Sequence, residues 1–364
     1  MLREVVLVAG LGDHDVGEEI WRAWQGSILV RYDLRDLAQR VVRRWVDGEL
    51  TAVELAHGCV SCTLGLDLVP LLERLGGRVV VHLDPRLEPE AVCFAVCETD
   101  VRVKAVVTVV DRATWLADAT GNDLLAERGL SAAEDDDRTV AQIAVGPVEF
   151  ADCLVLTGGQ VDPVLDAVLD RLNPRAARRD RRGLDAAALL AAIPPDARRG
   201  RFDDGFGTLL NGRPPLEPSH GVAVVRFAAG RPFHPMRLHD ALDVLLDGVV
   251  RARGRLWVVS QPHRALWLES AGGGLTVGSL GSWLTAVSDW AQAPPACLAG
   301  GSASPDRRPG ERGQEVVVIT LTAPPEAIIA ALSEALVTDE ELELAGELEF
   351  VDPFIESDDE MEEL

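Results

Sequence analysis

Along its first 175 residues the chain alternates short runs of Val, Leu and Ile with segments whose apolar residues recur at helical spacing. The runs Glu4 to Ala9, Ile28 to Tyr32, Arg78 to Leu83, Lys104 to Val110 and Asp152 to Leu156 read as strands. Four of them are almost unbroken in apolar residues, as strands covered on both faces must be. Helices are expected over Val16 to Trp24, Leu34 to Val46, Leu66 to Arg74, Pro89 to Cys97, Val140 to Val145 and Pro163 to Leu172. Strands and helices in alternation predict an α/β fold with a mostly parallel sheet in residues 1–175.

The pattern changes after that. From 176 to 218 Arg, Pro, Gly and Asp surround one short helix, Asp185 to Ala192, and the stretch reads as a linker. Residues 219–337 predict strand Val222 to Phe227, helix Pro235 to Val250, strands Arg255 to Ser260, Ala265 to Glu269, Leu275 to Val277 and Glu315 to Thr322, and helix Pro325 to Leu336. Hairpin-ordered strands with helices set apart suggest a small α+β domain. Residues 338–364 are dense in Asp and Glu without a Lys or Arg and read as a solvated acidic tail.

Composition narrows the setting. A 364-residue chain that is 47% hydrophobic can bury two cores. It has no run of 18 apolar residues and no signal-peptide pattern at its start, so a cytoplasmic protein without a membrane partner is expected. A net charge of -24 argues against direct DNA binding. Against that average stand Arg175, Arg178, Arg179, Arg181, Arg182, Arg198, Arg199 and Arg201. They are either a contact for phosphate or an acidic partner, or a solvated linker in a chain whose sole lysine is Lys104.

The first strand runs into Gly10-Leu11-Gly12-Asp13-His14-Asp15-Val16-Gly17-Glu18-Glu19. Gly12 and Gly17 have the spacing of a phosphate-binding loop, but Glu18 and Glu19 stand where Lys and Ser/Thr are needed. Lysine neutralises the β and γ phosphates and the hydroxyl holds Mg²⁺. Like charges ~4 Å apart repel by about 1 kcal/mol in water and about 4 kcal/mol at an effective dielectric of 20. GTP with Mg²⁺ is therefore not expected here. The fifth strand ends in Thr157-Gly158-Gly159-Gln160, with no carboxylate to read guanine, and Asp84 is the one remaining candidate for Mg²⁺. Neither a Ser-His-Asp arrangement, a His-Glu-x-x-His nor a dinucleotide fingerprint is present, so another enzyme class lacks support.

Cys59 and Cys62 have metal-ligand spacing, with His57 or Glu54 as a candidate third ligand, and zinc is the cofactor they suggest. Cys93 and Cys97 sit one helical turn apart and read better as core, as does Cys153. His234 and His239 flank a helix start with Arg237 and either form an anion site or shape the turn. Trp257, Trp267 and Trp283 read as core.

The segment Glu54-Leu55-Ala56-His57-Gly58-Cys59-Val60-Ser61-Cys62-Thr63 resembles the Gly-Cys-x-Cys-Cys motif of the CobW-type metal-handling P-loop GTPases. Ala105 to Asp111, Gln142 with Phe150-Ala151-Asp152, Leu172-Asn173-Pro174-Arg175, Pro232-Phe233-His234-Pro235 and Arg251 to Trp257 are similar to further motifs of that family. The resemblance implies a P-loop domain, here degenerate, followed by a CobW C-terminal domain. Details such as Val80 to Leu83, Arg138 to Gln142 and Trp267 to Leu275 resemble an actinobacterial branch that recruits a ribosome hibernation factor to the small ribosomal subunit under zinc limitation. That resemblance implies a non-hydrolysing recruitment protein. The alternative is a zinc metallochaperone or weak GTPase.

Overall fold

The computed structural model describes residues 3–12, 15–133, 136–201, 209–210, 212–283 and 313–355. The chain forms two compact units, Met1–Pro215 and Leu216–Leu364.

In the first unit, β1 (Arg3–Gly10), β2 (Ser27–Asp33), β3 (Val41–Val46), β4 (Glu49–Glu54), β5 (Arg78–His82), β6 (Val101–Asp111), β7 (Cys153–Thr157) and β8 (Ala177–Asp180) make one sheet. Its order is β4-β3-β2-β5-β1-β6-β7-β8. The six strands from β2 to β8 run parallel, while β3 and β4 form an antiparallel hairpin. Alternation along β1 feeds two cores. Val5 and Leu7 pack with Val30 and Val81 on one face. Val6 and Val8 pack with Ile20, Trp24 and Val107 on the other. Each fully buried Val or Leu contributes roughly 1.5–3 kcal/mol, which fixes the register of the central strands. Around the sheet lie α1 (Val16–Ala23), α2 (Val60–Cys62), α3 (Val69–Leu75), α4 (Pro89–Val96), α5 (Trp115–Thr120), α6 (Val140–Phe150), α7 (Pro163–Leu172) and α8 (Ala186–Ala191). A π-helical segment, Thr63–Leu68, joins α2 to α3.

The helix expected over Leu34 to Val46 is absent; a 3-10 turn at Leu37–Gln39 and the β3–β4 hairpin take its place. Arg40 adopts a φ of 64°, and Asp47 (47°) and Gly48 (88°) make a two-residue turn. An Asp-Gly pair suits a hairpin turn, and the Asp47 carboxylate also accepts the Leu29 amide at 2.8 Å. That local chemistry overrides the helical spacing.

The stretch read as a linker also needs correction. β8 pairs with β7 from Cys153↔Ala177 to Leu156↔Asp180. Ala186, Leu189 and Ile193 bury themselves against the cluster holding Ile20 and Trp24. Its arginines lie among these anchoring positions, so composition disguised the strand and the burial of the expected helix.

The second unit has β9 (Ala223–Ala229), α9 (Pro235–Ala241), β10 (Val249–Leu256), β11 (Arg264–Ala271), β12 (Gly274–Ser282), β13 (Gln314–Thr320) and a helix at Pro325–Glu334. The antiparallel sheet order is β12-β11-β10-β13-β9. Its core gathers Phe233, Leu238, Leu245, Leu268, Ile328 and Leu332. The expected helix from Pro235 ends at Ala241 and passes into a 3-10 turn at Leu242–Leu245; Gly248, at φ 70°, then turns the chain, and its carbonyl accepts the amides of Leu321, Thr322 and Ala323. Strand β10 therefore begins at Val249, ahead of the expected Arg255.

The described part of the acidic tail is folded against this unit. Thr338 and Glu341 form a capping box, and Arg237 grips both Glu341 carboxylate oxygens at 2.9 and 2.6 Å. Gln261 holds Asp352 at 2.9 Å. Residues 356–364, like Asp13, His14 and Cys297, lie outside the described residues.

Candidate functional site

The cysteine motif sits where β4 turns into a helix. Gly58 passes so close to the 3-10 turn that a Cβ there would lie 2.2 Å from the Leu37 carbonyl oxygen. This contact fixes the entry of the chain into α2. Cys59 is the N-cap, and its Sγ accepts the Cys62 amide at 3.3 Å. Both cysteines are reduced and half-buried. The Cys62 thiol is raised above its ordinary range by its hydrogen bond to Cys59 and by burial, with the His57 amide acting the other way. A thiol ligates zinc as the thiolate, so an ion on this pair would have to displace both protons.

The π-helical segment that follows is anchored from below. The Tyr32 hydroxyl donates to Asp67 at 2.8 Å, and Arg44 pairs with the same carboxylate. Asp67 is thus tied to β2 and β3, which holds the cysteine helix against the sheet. These partners are separated by 35 positions in the chain for Tyr32 and Asp67, and no local motif signals them.

His57 and Glu54, expected as further ligands, are both exposed. Among the described residues no group of three or more His, Cys, Asp and Glu is placed to hold a metal. Cys93 is buried, with Gly200 closing on its sulfur, whereas Cys97 is exposed at the end of α4, contrary to the core assignment. Cys153 lies in the core as expected.

At the glycine loop, Gly10 and Gly12 take φ of 152° and 80°. Gly17 lies against the His82 ring, where a Cβ would stand 3.3 Å from the His82 Cβ. The acids that follow are neutralised from within. Glu18 pairs with Arg22 at 2.5 Å and Arg31 at 3.5 Å. Arg181, just beyond β8, reaches Asp15 at 2.7 Å and Glu19 at 2.8 Å. Asp84, the expected Mg²⁺ partner, is buried with Arg86 at 3.0 Å and accepts the Leu34 amide. The Lys and hydroxyl positions of a phosphate loop are therefore acids closed by arginines, a donor set that does not fit a triphosphate with Mg²⁺.

The strand end expected to face guanine is equally altered. Gly158 and Gly159, at φ 56° and 51°, pass against Asp111 and Arg112, and a Cβ on Gly158 would stand 2.5 Å from Asp111 Oδ1. Thr157 Oγ1 is turned to the Val110 carbonyl and Gln160 is exposed, so this end offers a tight glycine turn.

Two other motif residues prove to be struts. Gln142 closes a capping box with Thr139, and Asn173 Nδ2 donates to the carbonyls of Val148, Glu149 and Ala151 at the end of α6. Several of the arginines serve the fold as well. Arg178 pairs with Asp170 at 2.8 Å, Arg198 lies over the Phe150 ring, and Arg199 donates its amide to Asp152. Arg175, Arg179, Arg182 and Arg201 are exposed, so the eight residues do not act as one basic stripe. In the second unit His234 shapes the turn: it caps α9, its Nδ1 accepting the Arg237 amide at 3.4 Å. Trp283 is buried as expected, but Trp257 and Trp267 are only half-buried. Trp267 donates to Glu269.

Residues 222–336 match the family described as the cobalamin synthesis protein cobW C-terminal domain. The chain is 42% identical to a zinc chaperone of Mycobacterium tuberculosis over 97% of its length and 93% of that relative. It is 25% identical to the zinc-regulated GTPase metalloprotein activator 1 of Dictyostelium discoideum over 85% of its length and 71% of that relative. Among solved structures it is similar to the Zn(II)-bound YjiA GTPase from E. coli, with 15% identity, a TM-score of 0.39, and coverage of 92% of this chain and 99% of that one.

Proposed function

Because the chain belongs to the CobW-type P-loop GTPase family, we propose that it is a zinc metallochaperone that carries its ion on Cys59 and Cys62 without a working nucleotide cycle. The observation that carries this reading is the pair itself: two half-buried thiols at ligand spacing, with one sulfur facing the other residue's amide. Two protein thiolates leave tetrahedral zinc two positions for water or an acceptor's ligands, the arrangement for an ion in transit. The naming of the mycobacterial relative as a zinc chaperone supports the same assignment.

Nucleotide plays no part in the proposed transfer, because Glu18 and Glu19 occupy the positions of the phosphate-binding Lys and the Mg²⁺-binding hydroxyl. Competition against a chromophoric chelator tests the zinc reading. The native protein is expected to take up zinc, and Cys59→Ser and Cys62→Ser to weaken it by about tenfold or more with thermal stability kept. Zinc affinity unchanged in both variants overturns the reading. Calorimetry with GTP and Mg²⁺ should give no binding heat, and a tight complex would restore a nucleotide-driven mechanism.

A second reading, recruitment of a hibernation factor to the small ribosomal subunit, draws on the arginine-closed loop, since recruitment needs a surface and no turnover. Sedimentation of ribosomes from zinc-starved cells with and without this protein tests it. A hibernation factor that loads equally in both excludes it.

A further inference from the structure

Among the described residues β4 is an edge of the eight-stranded sheet with no strand on its outer side, and the chain leaves it to enter the cysteine loop. Its sequence, Glu49-Leu50-Thr51-Ala52-Val53-Glu54, is exposed except for half-buried Val53. Leu50 is 57% exposed, although it lies opposite Trp45 in the hairpin. Natural edges are usually blunted by charged side chains, Pro, a bulge or a covering element. This strand carries charge only at its ends, Glu49 and Glu54, has no Pro, and pairs with β3 unshifted from Val41↔Glu54 to Val46↔Glu49.

The hydrogen-bond phase of that ladder shows which groups face outward. Leu55 donates its amide to the Arg40 carbonyl at 2.8 Å, continuing the same register. Antiparallel pairs alternate between bonded and non-bonded, so Val53, Thr51 and Glu49 are bonded to β3. The amides and carbonyls of Leu50, Ala52 and Glu54 therefore point away from the sheet. That is the template for an added strand.

We infer that β4 is the docking edge for the zinc acceptor, which adds an extended segment with basic residues at both ends as a ninth strand. The inference rests on the zinc reading above for the partner's identity, and on the edge alone for the mode of docking. Charge selects the occupant. Two copies of this chain each carry a net charge of -24 and repel one another as they approach. A segment ending in Lys or Arg is attracted instead and meets the exposed Glu49 and Glu54 with opposite charge. The position fits delivery: Cys59 lies five positions after Glu54, a reach of at most about 18 Å even when extended. A ligand that follows the docked segment is thus led to the two thiols.

The test uses full-length, metal-free protein and a peptide of alternating Val and Thr between terminal lysines, followed by amide exchange and NMR titration. Binding should protect the amides of Leu50, Ala52 and Glu54 while leaving Thr51 and Val53 unchanged. Ala52→Pro removes the central outward donor without touching a bond to β3, and should weaken binding by about tenfold or more. The paired reversal Glu49→Lys with Glu54→Lys keeps every backbone bond and should shift preference to a peptide ending in Glu. In the zinc-loaded protein, the Lys-ended peptide extended by a Cys-x-x-Cys should withdraw zinc faster than the same chelating segment alone. Unprotected outward amides, equal binding of Lys- and Glu-ended peptides, or β4-mediated dimerisation would overturn the docking mode. Equal withdrawal rates would overturn the acceptor assignment. The protection experiment repeated on Cys59→Ser protein separates these failures from failure of the zinc reading, because the edge is intact there.

Discussion

The Arg181 guanidinium lies 2.8 Å from the Glu19 carboxylate. An arginine from the end of the sheet thus neutralises an acid standing where a phosphate loop keeps its hydroxyl. The same nitrogen reaches Asp15 at 2.7 Å. The loop is held by ion pairs within the chain, as a structural joint between α1 and the strand pair β7–β8.

Arg181→Ala should therefore lower stability by about 1 kcal/mol, since these pairs are partly exposed and such pairs are weak. Urea denaturation at low salt measures the loss, which should shrink as salt screens the remaining acids. A gain in stability would mean that the arginine is held at a cost.

Asp84 and Arg86 are a different case, because their side chains are 7% and 3% exposed. Asp84→Ala strands the guanidinium and removes the acceptor of the Leu34 amide. The expected loss is about 3–5 kcal/mol by chemical denaturation. A loss below about 1 kcal/mol would show that the Gly129 and Ser131 carbonyls satisfy Arg86 by themselves.

Gly58→Ala forces a methyl group onto the Leu37 carbonyl. We expect about 1–3 kcal/mol of destabilisation in thermal melts, with faster alkylation of Cys59 as its loop lifts away. An unchanged alkylation rate would show that the glycine does not position the thiol.

The contact between Arg237 and Glu341 supplies a pH signature. The Arg237 hydrogen bonds hold the Glu341 carboxyl at about 2, below its ordinary 4.5. A depressed carboxyl stabilises the fold above its unfolded pKa and loses that contribution as pH falls through the folded one. The segment at 338–355 should loosen between about pH 4.5 and 2, and amide exchange of Leu342 and Leu344 should report it. In Arg237→Gln the loosening should begin at higher pH.

Much of the architecture is legible along the chain. Unbroken apolar runs such as Val5 to Ala9 and Lys104 to Val110 can only be strands covered on both sides, and their alternation with helical segments dictates a parallel sheet. Cys59 and Cys62 are visible by spacing, and so is the missing lysine at Glu18. The Asp47-Gly48 turn was legible as well, but helical spacing over Leu34 to Val46 competed with it.

What the sequence determined by itself was local: which segments bury which faces, and which side chains stand after the first strand. Only the tertiary structure decided that Arg181 answers Asp15 across 166 positions, that Asp84 belongs to Arg86, that β8 and α8 join the first unit's core, and that β4 ends the sheet among the described residues. The physical reason is that charge pairing and edge exposure depend on distances set by packing of the whole sheet. Periodicity reports only the faces of single elements.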